Sequence, residues 1–385
     1  MTALHREAPS AARYEARFLR LPALLPREAE WARLVDDALE PNPFYGPAFM
    51  AAAEQNLHPH RPVDYLIVED KARDNALCAL IPLERPHPRD GILWGALTLY
   101  RNPYTCLTVP PLQREEAALI LGTALAALAR RTQRLILPMI PQGRSFANLL
   151  RAAIVGAGLS SVTVDGRSRA AVMTDLDTEA YRNTFWKKAT RSQERRRLRQ
   201  LGEVGHVVHR TFLATDPGGR EALEAFLRLE QAGWKGREGT ALLQSPTTTA
   251  FAQAAFLAPL EPGRVLFETL SVDDRIIAVN INLVAGRAGF AIKSAYDETF
   301  GRFGAGNLLD GFSLALAAAG GPLERLDSCA PVEHPIRQRW RQEERIERLL
   351  VGLKPGVRLD AMAHWMARLG PYGLWRGFDQ RYDAE

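Results

Sequence analysis

The stretch from Ala295 to Leu309 reads Ala-Tyr-Asp-Glu-Thr-Phe-Gly-Arg-Phe-Gly-Ala-Gly-Asn-Leu-Leu, and its residue types suit the binding of an anion. Gly301, Gly304 and Gly306 can take positive φ and turn their N–H groups to one side. Asn307 is a good N-cap, and Asp310 follows it in capping-box-like spacing. A strand, a glycine loop and a helix N-terminus together make a cradle suited to a pyrophosphate. Arg302 could add a charge-assisted bond worth ~1.5–3 kcal/mol. A flexible turn before an ordinary helix would use the same residues. The equivalent connection in the first half, Tyr100 to Leu112, contains Pro103, Pro110 and Pro111 and no glycine. Proline has no N–H to offer a phosphate. Only the second half is expected to hold a cofactor.

The basic residues carry a second signal. Only six of the 49 are lysines, a skew that fits a GC-rich genome. A lysine kept against that bias marks a place where a compact ammonium is wanted, which singles out Lys235 and Lys293. Lys293 stands in a strand with Phe290 and Ile292, and strict alternation puts it opposite Ile292, on a face open to a cleft or to solvent. Trp234 and Lys235 follow a helix end marked by Gly233. They could line a cleft in which Lys235 binds a carboxylate or phosphate, or pack beneath a loop with the lysine reaching outward. His334 titrates near neutrality. From Lys187 to Arg199 there are seven cations and one acid, Glu194. No leucine heptad follows, so the run is no basic zipper and DNA is not expected. It reads as a solvated helix face or as a surface for an anion: a donor phosphate, a lipid head group or tRNA.

Positioning these residues falls to two similar halves. The 385 residues, 46% of them apolar and with a net charge of +5, suffice for two domains. No apolar run reaches the ~18 residues of a membrane span, and Met1 to Ser10 lacks the form of a secretory signal. Cys78, Cys106 and Cys329 have neither disulfide nor metal-ligand spacing, so reduced thiols, a cytoplasmic location and no metal are expected. Each half reads strand, helix, helix, three strands, helix, strand, helix, strand. In the second half the strands are expected at 264–270, 275–284 and 288–295, joined by tight turns at Asp273–Asp274 and Gly286–Arg287. Helices are expected over Leu308 to Ala319 and around Ile336 to Gln342, and the first half ends in a strand over Leu159 to Val164. The expected division is residues 1–165, a basic helical connector over 166–203, and residues 204–385. The segment Met362 to Phe378, with Trp365, Met366 and Trp375 among basic residues, could rest on a membrane surface. Gly370–Pro371 breaks it, which favours packing on the domain.

The element order resembles that of GNAT acyltransferases, and the second half is similar to their CelD/FemABX-like branch. The stretches that carry the likeness are Trp234-Lys235-Gly236-Arg237-Glu238, Lys293-Ser294-Ala295-Tyr296-Asp297-Glu298, Gly306-Asn307-Leu308-Leu309 and Leu326-Asp327-Ser328-Cys329, with Pro335 and Trp340. The first half is linked more loosely, through Asn42-Pro43-Phe44. Ala305-Gly306 stands where the family usually has Pro-Gly, which frees one more N–H. The resemblance implies an α/β fold of tandem GNAT-like domains, each a mostly antiparallel twisted sheet flanked by helices. It implies transfer of an acyl group from an acyl-CoA or acyl-carrier thioester to an amine, with no tightly bound cofactor. An aminoacyl-tRNA donor and a non-catalytic binding protein are the alternatives. The implied roles are Asp327 as general base with His334 as second choice, and Tyr296 as acid for the departing thiolate. Arg302, Gly304, Gly306 and Asn307 would hold the donor, and Trp234, Lys235, Lys293 and Asp297 the acceptor.

Overall fold

Alternating strands, two-residue turns and capped helices appear in the order the sequence leads one to expect. The structure is a computed structural model that describes residues 13–86, 95–257, 264–331 and 333–368. The first half runs β1 (Tyr14–Leu19), α1 (Leu21–Leu24), α2 (Glu28–Asp36), α3 (Pro47–Asn56), β2 (Asp64–Asp70), β3 (Ala76–Glu84), β4 (Ala96–Leu99), α4 (Ala117–Arg131), β5 (Arg134–Pro141), α5 (Ser145–Gly156) and β6 (Ser160–Val172). Two helices, α6 (Thr178–Phe185) and α7 (Lys188–Gly202), lead to the second half. There follow β7 (Val207–Leu213), α8 (Pro217–Ala232), α9 (Trp234–Arg237), α10 (Pro246–Phe256), β8 (Val265–Val272), β9 (Arg275–Ala285) and β10 (Ala288–Tyr296). The chain closes with α11 (Ala305–Phe312), α12 (Leu314–Ala317), β11 (Arg325–Asp327), β12 (Gln342–Gly352) and α13 (Asp360–Arg368). The β8–β9 and β9–β10 hairpins turn through two residues each, with Asp273 at φ 51° and Gly286 at φ 52°.

The described strands form one mixed sheet in the order β1-β2-β3-β4-β5-β12-β6-β11-β10-β9-β8-β7. Within each half one pair is parallel, β4 with β5 and β10 with β11. The last strands are exchanged: β6 lies beside β11, and β12 lies beside β5. The exchanged strands also pair with each other along Gln342–Gly352. This long pairing explains why β6 continues to Val172 instead of stopping near Val164, and the division expected at residue 165 falls inside that strand. Glu347, buried on β12, bonds Arg151 of α5 at 2.5 Å. The halves also share a core. Phe49 of α3 meets Phe251 of α10 edge-on at 5.5 Å, and Phe44 meets Phe290 at 5.4 Å.

Three elements differ from expectation. α11 begins at Ala305 and ends at Phe312, because buried Ser313 bonds back to the Leu309 carbonyl at 3.1 Å and to Glu268 at 2.8 Å, an arrangement that bends helices. Instead of a helix around Ile336 to Gln342 there is a 3-10 turn, Pro335–Gln338. It ends where Trp340 is drawn under α11 by a 2.9 Å bond to the Asp310 carbonyl. The described part of the C-terminal segment, in α13, buries Ala363 and Met366 against Ile136 and Leu350, so that face packs on the sheet; residues 369–378 lie outside the described residues. Among the described residues no helix is long and apolar enough to cross a membrane.

Candidate active site

Strands β10 and β11 pair in parallel only over Ala288–Phe290 and Arg325–Asp327. Beyond Phe290 they part, and a cavity of about 310 Å³ opens between β10, α8, α11 and the segment after β11. A bulge falls at this point: Ala291 faces Asn282 and Lys293 faces Ile281, with Ile292 left over. A bulged residue drops out of the ladder, so its backbone groups are free to meet a ligand. The bulge also breaks the alternation expected of β10. Ile292 is buried in the core cluster that includes Phe226 of α8, and Lys293 reaches Glu230 of the same helix, so the two share a face instead of opposing one another.

At one end of the cavity are the side chains that meet α8. Lys293 Nζ donates to Glu230 Oε1 at 2.9 Å, and Lys235 Nζ donates to the same oxygen at 3.2 Å. The Leu242 N–H bonds the other oxygen at 2.8 Å. Burial would raise the Glu230 carboxyl, but the two ammoniums outweigh it and hold it below its ordinary value. Burial and the charge of Lys293 push Lys235 down to about 8. Tyr104, from the proline-rich connection of the first half, also lines the cavity, its ring 5.2 Å from Lys293 Nζ. Asn42 pins that connection through 3.2 and 2.8 Å bonds to the Leu107 and Val109 carbonyls.

Asp310 of α11 lines the cavity from the other face of β10. Burial raises its carboxyl to about 7, against the pull of the Arg339 guanidinium and the Asn280 amide. His334 also lines the cavity. Its Nδ1 accepts the Ile336 N–H at 3.3 Å, which leaves Nε2 as the protonated nitrogen. Burial and nearby Lys235 keep it neutral by lowering its pKa. In that tautomer His334 offers the cavity a donor, not a base. Tyr296 lies at the mouth, 38% exposed, its ring packed on Gly306.

Asp327 is not in the cavity. It is 1% exposed, paired with equally buried Arg169 at 2.8 Å and bonded by the Cys329 N–H at 2.8 Å. Burial raises its carboxyl despite the opposing charge of Arg169. Its place is that of a structural ion pair, which corrects the expectation of a base there. Asp297 caps the turn after β10 by accepting the Thr299 N–H at 2.9 Å, pairs with Arg275, and borders a neighbouring groove instead of the cavity. Trp234 is half exposed, and its N–H bonds Glu298 at 2.8 Å, which ties the Trp-Lys-Gly segment to the glycine loop.

The glycine loop is tighter than its composition suggests. Residues Glu298–Phe303 wind into a 3-10 turn, and among the three glycines only Gly304 has positive φ, at 64°. Gly304 is the N-cap of α11, so Asn307 is inside the helix and is not its cap. Its Oδ1 accepts from Arg339 at 2.9 Å. Arg302 lies exposed over the Phe303 ring at 4.6 Å. The guanidinium at the helix start is instead that of Arg197, from α7, packed against Gly304. It forms no ion pair among the described residues, so a cation meets the positive end of a helix dipole, an arrangement that suits an anion.

The other cations of α7 have separate duties. Arg191 donates to the carbonyls of Arg182, Asn183 and Trp186 at 3.2, 3.0 and 2.8 Å, which caps the end of α6. Arg195 and Arg199 are exposed, so the arginines of this helix are not equivalent. The single acid, Glu194, turns inward to Arg182 at 3.4 Å and Arg339 at 3.3 Å.

A sheet that parts between two parallel strands, with a bulge and a helix N-terminus at the opening, is a GNAT-like fold. Residues 188–334, a range that takes in α7, match the acetyltransferase (GNAT) domain family. Among solved structures the chain is similar to FemX, with 9% identity over 91% of this chain and 100% of that one and a TM-score of 0.57. It is similar too to the C-terminal domain of a putative lysylphosphatidylglycerol synthetase from Agrobacterium fabrum, with 12% identity, coverage of 89% and 95%, and a TM-score of 0.51. At such identities the likeness is one of fold. Comparison with curated proteins gives no match.

Asp310, Glu230, Tyr104 and Arg197 were not foreseen in these positions. Asp310 was visible only through its capping spacing, and Tyr104 lies in a connection that its prolines had set aside. Glu230 carries no local signal at all, and Arg197 is one of seven cations in its run with nothing to single it out.

Proposed function

We propose that the protein is an N-acyltransferase that moves an acyl group from a CoA-type thioester to an amine held between β10 and β11. The observation that carries this reading is the opening of the bulge in β10 and a buried carboxyl tuned near neutrality onto one cavity, beside a helix start that bears Arg197. In this reading the diphosphate of the donor rests on the α11 N-terminus and Arg197, and the thioester reaches between the parted strands.

Asp310 takes the proton of the attacking amine; a carboxyl near pH 7 is matched to that task, worth typically 10²–10⁴-fold. The N–H freed by the bulge at Ile292 stabilises the oxyanion, a contribution of ~3–4 kcal/mol for one well-placed donor. The C–N bond forms, the C–S bond breaks, and Tyr296 protonates the leaving thiolate. A cytoplasmic location agrees with such a donor.

The test is to incubate the pure protein with a panel of acyl-CoAs and follow binding and slow thioester hydrolysis by mass spectrometry. At least one thioester should bind and be hydrolysed, with loss of binding in Arg197→Gln. If no acyl-CoA binds but an aminoacyl-tRNA is consumed, the donor is tRNA and this reading fails.

A further inference from the structure

The α8 end of the cavity holds more positive charge than the protein neutralises. Two ammoniums, Lys235 and Lys293, share one oxygen of Glu230, whose second oxygen is occupied by the Leu242 N–H. The Glu230 side chain is fully buried and that of Lys293 is 9% exposed. Each ammonium has three donors. Lys235 spends two, on Glu230 and on the Ser294 carbonyl at 3.2 Å. Lys293 spends one and otherwise meets only the face of Tyr104. One net positive charge and three N–H groups therefore remain without a protein partner among the described residues, and burying such a charge is costly unless something compensates it. Neutral His334 adds a further donor at its Nε2, close enough to Lys235 to feel its charge.

We propose that this end of the cavity binds a carboxylate carried by a substrate, held by Lys293, Lys235 and His334. The proposal rests on the acyl-transfer reading and names the substrate class it leaves open. A carboxylate supplies one negative charge, the amount the cluster lacks. The charge match excludes a phosphate dianion, which would leave an excess of the opposite sign. Position also bears on the source. Lys293 faces α8, whereas Asp310 and the α11 N-terminus lie beyond the other face of β10. The carboxylate therefore belongs either to the amine acceptor or to the far end of the acyl chain, away from the diphosphate.

Two matched pairs of product analogues separate these sources by calorimetry on the whole protein. N-acetylglycine against N-acetylglycinamide tests a carboxylate on the acceptor. N-methylsuccinamate against N-methylbutyramide tests one on the acyl chain. In one pair the carboxylate should bind at least tenfold more tightly than its neutral partner. Lys293→Met should abolish that ratio, and Lys293→Arg should retain most of it. Loss of discrimination in Lys293→Met alongside an unchanged thermal midpoint assigns the effect to charge, and the ratio in Lys293→Arg guards against a folding defect. If neither pair discriminates while an acyl-CoA still binds, this inference fails and the thioester reading stands. If a pair discriminates and no acyl-CoA binds, the cavity takes a carboxylate but the donor reading fails.

Discussion

The guanidinium of Arg197 lies against the backbone of Gly304: a Cβ on that glycine would stand 2.8 Å from Nη1 and 3.0 Å from Cζ. A helix from the charged stretch thus completes the start of the helix that follows the glycine loop, and the two features most conspicuous in the sequence become one site.

Arg197→Gln should raise the KM for an acyl-CoA roughly 10- to 100-fold, the equivalent of one charge-assisted bond, with kcat nearly constant. Salt should weaken donor binding in the wild type and much less in the variant, because the charge being screened is gone. Michaelis constants measured across a salt series decide the point. Gly304→Ala, by forcing a side chain into the left-handed region, should cost about 1–2 kcal/mol of stability as well.

Asp310→Asn should lower kcat by about 10²–10⁴-fold with little change in donor affinity. In the wild type the rate should rise with pH through about 7, where the carboxyl ionises, and the variant should lack that limb. Stability should move the opposite way. A carboxyl raised by folding helps the fold below its unfolded value near 4, and that help is lost as pH rises through about 7. Above that pH the wild type keeps a buried anion that the variant does not, so Asp310→Asn should melt higher than wild type at pH 8. A pH series of thermal midpoints beside the rate profile would expose a purely structural aspartate.

Asp327→Asn should act on the fold and spare the chemistry. It leaves the Arg169 guanidinium buried without its counter-charge, a loss of about 3–5 kcal/mol, while the turnover of the molecules that remain folded should stay near normal. Urea unfolding paired with active-site titration checks both halves of that statement. A large fall in kcat at unchanged stability would restore Asp327 as the base.

Arg191→Gln removes the cap that gathers three carbonyls at the end of α6 and should cost about 1–3 kcal/mol. Exposed Arg195→Gln and Arg199→Gln should each shift stability by less than about 0.5 kcal/mol. Denaturant midpoints for the three variants separate the capping arginine from its surface neighbours.

Element order, the two-residue hairpins and the glycine loop before α11 were legible because each depends on neighbours in the chain: alternation, turn residues and caps act over a few positions. The same locality brought Trp234, Lys235, Lys293, Tyr296 and His334 into view, and the structure gathers all five around one cavity. Local signals do not reveal which residues of a motif face inward. Asp327 and Asp310 are both aspartates beside apolar residues, the first at the end of a short strand and the second within a helix. The first meets Arg169 from β6, and the second meets the cavity; strand exchange, which no residue spacing announces, decides between them.

What the sequence by itself determined is the inventory: two halves of like order, a loop that favours an anion in one of them, and a charged stretch between. Tertiary structure alone decided how these are shared. The exchange of β6 and β12 follows from pairing between residues more than 170 positions apart, at Gly352 and Ser160 among others. It merges the halves into one sheet and brings Tyr104 over Lys293, while the packing of α7 on the turn before α11 sets Arg197 on Gly304. The bulge at Ile292 likewise depends on the partner strand, because only the register with β9 leaves one residue over. Burial then acts on what this arrangement encloses. Asp310 and Lys235 carry ordinary side chains, and their pKa values near 7 and 8 arise because the fold removes water from them and places particular charges beside them.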